Sequence, residues 1–164
     1  MRIISGTWRS RPLVAPKGDT TRPTADRTRE TLFSMLTSRL GSFEGLQVLD
    51  LFSGSGALGL EALESNIAKL GAGSQSEVRR GSALMLGPAR KPFDLILMDP
   101  PYGTGAGAVA LDKLARLGWI APGALISIET GNREDTEVKG FEIDTIRDIG
   151  KARITLLRPV GASE

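Results

Sequence analysis

Val48-Leu49-Asp50-Leu51-Phe52-Ser53-Gly54-Ser55-Gly56-Ala57-Leu58-Gly59 decides the fold. The first five residues make a compact apolar strand with a carboxylate inside it. The glycines at 54, 56 and 59 match G-x-G-x-x-G, and a helix from Leu58 to about Leu70 runs on to Gly71-Ala72-Gly73. Strand, glycine-rich turn and helix, in that order, open a doubly wound α/β sheet and offer a helix N-terminus to an anionic group. Taken alone, the pattern also suits a plain structural turn or a dinucleotide site. Asp50 speaks against the dinucleotide, because a carboxylate in the strand repels pyrophosphate and favours a ligand with an amine. S-adenosylmethionine has an α-amine, a carboxylate and no phosphate, so it fits both features.

Outward from this unit, strands alternate with helices. Phe93–Met98 reads as a buried strand, Ala108–Leu117 as a helix and Ala124–Glu129 as a further strand. Phe141–Ile146 and Arg153–Leu157, joined through Ile149-Gly150-Lys151, predict an antiparallel pair at the sheet edge. Glu77–Arg80 is a short strand candidate that could pair beside Val48–Phe52. Upstream, Arg2–Ser5 and Leu13–Ala15 predict a basic hairpin, with Pro12 and Pro16 restricting it to an edge. Lys17-Gly18-Asp19 is a turn. A helix then opens at Thr24-Ala25-Asp26-Arg27, carries Leu32, Phe33, Leu36 and Leu40 on one side, and stops at Gly41. The expected architecture is a Rossmann-like α/β domain over 46–164, mostly parallel with an antiparallel edge pair, preceded by a basic hairpin and helix over 1–45.

Composition removes whole classes of chemistry. The 164 residues contain no Cys and no His, which excludes thiolate nucleophiles, imidazole bases and the metal sites built from either. No metal is expected. No apolar run approaches the length of a membrane span, and arginines interrupt the N-terminus too early for a signal sequence, so a cytoplasmic protein is expected. Residues 1–40 hold eight basic and three acidic side chains, whereas the remainder is net acidic, within a total of +2. That asymmetry suits a nucleic-acid-facing N-terminus on a neutral-to-acidic body. A solvated basic arm accounts for it equally well.

Asp99-Pro100-Pro101-Tyr102 ends the strand Phe93–Met98, where open α/β sheets place their ligands. Two prolines stiffen the backbone, remove two N–H donors and leave carbonyl acceptors. Asp99 adds carboxylate acceptors, and Tyr102 offers a flat face for a flipped base. Acceptors that grip the N–H bonds of a heteroaromatic amine can pyramidalise it and aim its lone pair at an electrophilic methyl.

Leu97-Met98-Asp99-Pro100-Pro101-Tyr102 resembles the signature of methyltransferases acting on exocyclic amines of nucleic-acid bases. With Arg2-Ile3-Ile4-Ser5-Gly6-Thr7-Trp8-Arg9 and Arg22-Pro23-Thr24-Ala25-Asp26-Arg27-Thr28-Arg29-Glu30-Thr31-Leu32-Phe33, the chain resembles the RsmD family from residue 2 to about Pro159. The resemblance implies methylation of a guanine N2 in 16S ribosomal RNA by a monomer that uses S-adenosyl-L-methionine, with the small ribosomal subunit as partner. It implies that Thr24, Asp50, Ser53, Gly54, Gly56 and Asp99 hold the cofactor, with Ser82 near its adenine. Asp99 and the Pro100 carbonyl would orient the amine, Tyr102 would stack on the base, and Arg22, Arg27 and Arg29 would meet the RNA. Trp8 is expected to pack the hairpin. A DNA adenine-N6 methyltransferase shares the Asp-Pro-Pro-Tyr signature. Asp99 tilts toward guanine, whose N1–H and N2–H are both donors, whereas adenine pairs a donor with an acceptor.

One departure is large. The family follows its glycine-rich helix with a second strand ending in an acid, then a second helix. Here Glu61-Ala62-Leu63 runs straight into Glu64-Ser65-Asn66-Ile67-Ala68-Lys69-Leu70-Gly71, which resembles the tail of that second helix. A strand, part of a helix and their loops, roughly 20–30 residues, are missing. With them goes the acid that would grip the cofactor's ribose. A third reading follows, an RNA-binding protein without catalysis because its cofactor site is impaired.

Overall fold

Alternation along the strands sorts their side chains into two cores, one on each face of a single sheet. The computed structural model describes residues 10–14, 23–53 and 65–161. Within them, α1 (Pro23–Leu40), β1 (Val48–Leu51), α2 (described over 65–70), β2 (Phe93–Met98), α3 (Ala106–Arg116), β3 (Ile120–Gly131), β4 (Phe141–Ile149) and β5 (Ala152–Pro159) follow in order. The strands lie as β1-β2-β3-β5-β4, with β1, β2 and β3 parallel and β5 antiparallel to both β3 and β4. The mixed sheet with its antiparallel edge pair is the one expected.

On one face α3 lays Ala110, Leu111 and Leu114 against Leu51, Ile96, Met98, Ile126 and Ile128. Burial on both faces explains why β2 and β3 read as continuous apolar runs rather than alternating ones. Phe93 stacks on Trp119 with ring centroids 5.7 Å apart, and the Trp119 indole donates to the Gly87 carbonyl at 2.8 Å. On the other face α1 places Met35 and Leu36 against Leu95, Leu125, Ile154 and Leu156. Leu36 is fully buried as its spacing predicts, but Phe33 is 36% exposed and pairs with Phe43, so Met35 occupies the core position instead. Gly41, at φ +68°, ends α1 and donates its N–H to the Thr37 carbonyl at 2.9 Å.

Two expectations are corrected. Residues 76–80 form no strand, so Glu77–Arg80 does not pair beside β1; Glu77 instead bonds Arg79 two residues on, at 2.7 Å. A four-residue run with three charges and one apolar side chain has nothing to bury on either face. Among the described residues β1 is therefore an edge strand, paired with β2 alone, and Val48 is 45% exposed. The second half of the hairpin is also not a strand over its described residues. Val14 is tied to α2 through one side chain, its N–H donating to Asn66 Oδ1 at 2.9 Å and its carbonyl accepting from Asn66 Nδ2 at 3.1 Å. Arg2–Ser5, Trp8 and the Lys17-Gly18-Asp19 turn lie outside the described residues.

Candidate active site

Three parallel strands end side by side, and each brings a carboxylate to the same edge. Asp50 on β1 is in register with Leu97 on β2, and Leu97 with Ser127 on β3. In-register residues share a face, as do residues two apart along a strand. Asp99 lies two beyond Leu97 and Glu129 two beyond Ser127. They continue the row that Asp50 begins, on the α1 face at the carboxyl ends. Three acids meet where the fold places ligands.

Their electrostatics are those of like charges held close together. Burial pushes the Asp50 carboxyl up to about 6, and the neighbouring Asp99 charge adds to the shift. Asp99 is also pushed up to about 6, by burial first and then by Glu129. Both side chains are nonetheless reached by solvent at the strand ends. Like charges held together in such a place favour a ligand that brings a positive charge or several N–H donors. A methionine α-amine fits that donor set.

The turn after β2 is built by short-range contacts. Thr104 Oγ1 donates to the Pro101 carbonyl at 2.7 Å and accepts from the Ala106 N–H at 3.2 Å, closing the loop onto α3. Of the two proline carbonyls, Pro101's is thereby occupied. Pro100 is buried, and the α3 backbone approaches it closely at Gly107, where a Cβ would stand 3.1 Å from both Pro100 Cγ and Ile128 Cγ2. Tyr102, 49% exposed, donates its hydroxyl to Glu129 Oε1 at 2.6 Å. Burial, then that bond, holds the phenol protonated well above the ordinary tyrosine range. At the end of β1, Phe52 takes φ +73°, a left-handed conformation that costs a non-glycine residue roughly 1–2 kcal/mol and turns the chain sharply at Ser53.

The sequence-predicted residues divide accordingly. Asp50, Asp99, Pro100 and Tyr102 meet at this edge, with Ser53 exposed just past β1. Ser82 begins a one-turn 3-10 helix, Ala83–Met85, and accepts from the Leu84 N–H at 3.2 Å. That turn docks on α3 through Lys113, whose ammonium donates to the Leu84 carbonyl at 2.6 Å. Thr24 lies in the first turn of α1; Arg27 is exposed and Arg29 half-buried one turn further on. Gly54, Gly56 and Arg22 lie outside the described residues. Sequence reasoning missed Glu129, Thr104 and Gly107. Glu129 carried a usable signal, an acid closing an apolar strand as Asp50 and Asp99 do, whereas Thr104 and Gly107 acquire meaning only from their contacts.

A cavity of about 30 Å³ lies behind the Pro100-Pro101 turn, on the α3 face, lined by Ile128, Thr130, Thr136 and the start of α3. That is room for about two waters and far too small for a nucleoside. Among the described residues, the buried hydroxyls of Thr130 and Thr136 reach no hydrogen-bond partner. No helix among the described residues is long and apolar enough to cross a membrane.

Comparison with known proteins agrees with this architecture. The family described as conserved hypothetical protein 95 matches in two pieces, residues 1–65 and 62–158, which meet where the sequence predicts the missing unit. The ribosomal RNA small subunit methyltransferase D of Escherichia coli K12 is 36% identical over 150 residues, covering 79% of this chain and 74% of the relative. That share is about 130 residues of this chain, so about 20 aligned positions face a gap in it. The Haemophilus influenzae protein of the same name is 35% identical over 154 residues, 79% of this chain and 78% of its own. A solved structure, a putative methyltransferase yhhF from Escherichia coli, superposes with a TM-score of 0.79 at 32% identity, over 97% of each chain. Matched along nearly its whole length and built on the same fold, the chain belongs to the RsmD family of methyltransferases.

Proposed function

We propose that this protein transfers a methyl group from S-adenosyl-L-methionine to the exocyclic N2 amine of a guanine in 16S ribosomal RNA, acting as a cytoplasmic monomer on the small ribosomal subunit. The observation that carries the reading is the Asp99-Pro100-Pro101-Tyr102 turn at the carboxyl end of β2, with Asp50 beside it on β1. When bound, the cofactor supplies an electrophilic methyl. The chain's own residues do the positioning, which is where most of the rate enhancement lies.

Asp50 holds the methionine amine as a carboxylate, with Thr24, Ser53, Gly54 and Gly56 around that end of the cofactor and Ser82 toward its adenine. Asp99 and the Pro100 carbonyl accept the N–H bonds of the target amine. With its carboxyl near 6, Asp99 can take up the proton that the amine releases. Tyr102 stacks on a base already out of its helix. Arg22, Arg27 and Arg29 belong to the RNA-facing extension, residues 1–45, and bind phosphates; residues 46–164 form the methyltransferase domain.

The test is methyl transfer to small subunits that lack the modification. Asp99→Ala should lower turnover by about 10²–10³. A variant keeping more than a tenth of wild-type turnover overturns the role of Asp99. Methylation of adenine N6 in DNA would favour the rival enzyme that shares the signature.

A further inference from the structure

Glu129 has no assigned part in the reading above, yet it stands in the acidic row and is tied to Tyr102. From its position we infer that Glu129 selects the base: it accepts the guanine N1–H, while Asp99 and the Pro100 carbonyl take the two N2–H bonds. This inference rests on the proposal that the site takes a guanine amine.

The count of donors and acceptors supports it. The edge of guanine that carries N2 presents three N–H bonds, one on N1 and two on N2. Because Thr104 occupies the Pro101 carbonyl, Asp99 and the Pro100 carbonyl supply acceptors for the two N2–H bonds. A further acceptor, placed for N1–H, stands on the neighbouring strand. Glu129 is on the adjacent strand, on the same face, and close enough to Asp99 to raise its carboxyl. Among the described residues it has no ion-pair partner, and its Oε1 accepts the Tyr102 hydroxyl at 2.6 Å. That bond occupies Oε1, holds the carboxylate in one rotamer and leaves Oε2 for a ligand. It also links the ring that stacks on the base to the group that reads its edge. Adenine presents a lone pair at N1, which a carboxylate repels, so the same geometry rejects it.

Guanosine monophosphate and the monophosphate of 2-aminopurine riboside separate the roles, since both carry the N2 amine and only guanine has N1–H. Titrated into the full-length chain, guanosine monophosphate should bind at least about tenfold more tightly. In Glu129→Gln the amide can donate or accept, so this preference should fall to within about twofold while 2-aminopurine affinity stays near wild type. Tyr102→Phe leaves the carboxylate in place but frees its rotamer, and should reduce the preference by a few-fold; it provides the second reading if the Gln variant does not fold. Wild-type preference for guanine that survives in both variants overturns the inference alone. A wild-type chain that binds neither nucleotide overturns the guanine-site proposal and the inference with it.

Discussion

At Asp50, burial and a neighbouring carboxylate make ionisation costly in the folded protein. Its carboxyl titrates near 6 in the folded protein and near 3.8 in a free chain. Between those values the folded state holds a proton that the unfolded state has released. Folding stability must therefore fall as pH rises from about 4 to about 6. Asp99 behaves in the same way and in the same window. The acids lowered by arginines, Asp144 and Asp148, act in the opposite sense and below about pH 4. Urea midpoints at pH 4.5 and pH 7 should accordingly drop for the wild type, and Asp50→Asn should remove about half of that drop. An unchanged drop in the variant would assign the proton to another group. If Asp50 takes the cofactor's amine as proposed, bound cofactor should reverse the trend, since the amine would bind the ionised form.

At the scale of elements, the position of α1 decides whether its amino-terminal arginines can serve the site. Leu32, Met35, Leu36 and Leu40 hold the helix by apolar contact, which does not specify its angle. Near its C-terminus a polar clamp adds direction. Arg39 Nε donates to Asp144 Oδ2 at 2.8 Å, and Arg158 Nε to Asp144 Oδ1 at 3.3 Å, joining α1 to β4 and β5. Burial raises the Asp144 carboxyl, but the two arginines outweigh it and leave it below its usual range. Asp144→Ala should lower unfolding free energy by about 1 kcal/mol at pH 7. Denaturant melts read the loss directly, and a variant as stable as wild type would show that the apolar contacts suffice. Gly107 plays a comparable part for α3, allowing it to approach Pro100 and brace the turn that holds Asp99.

At the scale of the whole molecule, the chain lacks about 20 positions that its relatives carry near residue 63, and the largest expected effect follows from that difference. In the resemblance, a carboxylate at the end of the next strand grips the cofactor's ribose, and hydrogen bonds of that charged kind contribute roughly 1.5–3 kcal/mol. Their absence should weaken S-adenosyl-L-methionine binding by roughly 10–150-fold relative to a variant with a family-like strand and helix grafted between Leu63 and Glu64. Calorimetric titration of both chains measures the ratio, and micromolar binding by the ungrafted chain would sink the expectation. Among the described residues the sheet forms without that strand, and β1, four residues long, pairs with β2 alone. Much of this was legible in the residues themselves. Apolar runs locate β2 and β3 because both faces of a central strand are buried, and Asp50, Asp99, Pro100 and Tyr102 are readable because polar or rigid groups at strand ends have few structural uses. The weakly apolar segments were not legible: Glu77–Arg80 has strand-like spacing but no partner, and Met35 rather than Phe33 enters the core because the helix's rotation depends on the sheet it meets. Only the tertiary structure could join Glu129 to Tyr102, since that bond depends on where β3 lies beside β2. Local sequence sets what a segment buries, and strand register decides which side chains then meet.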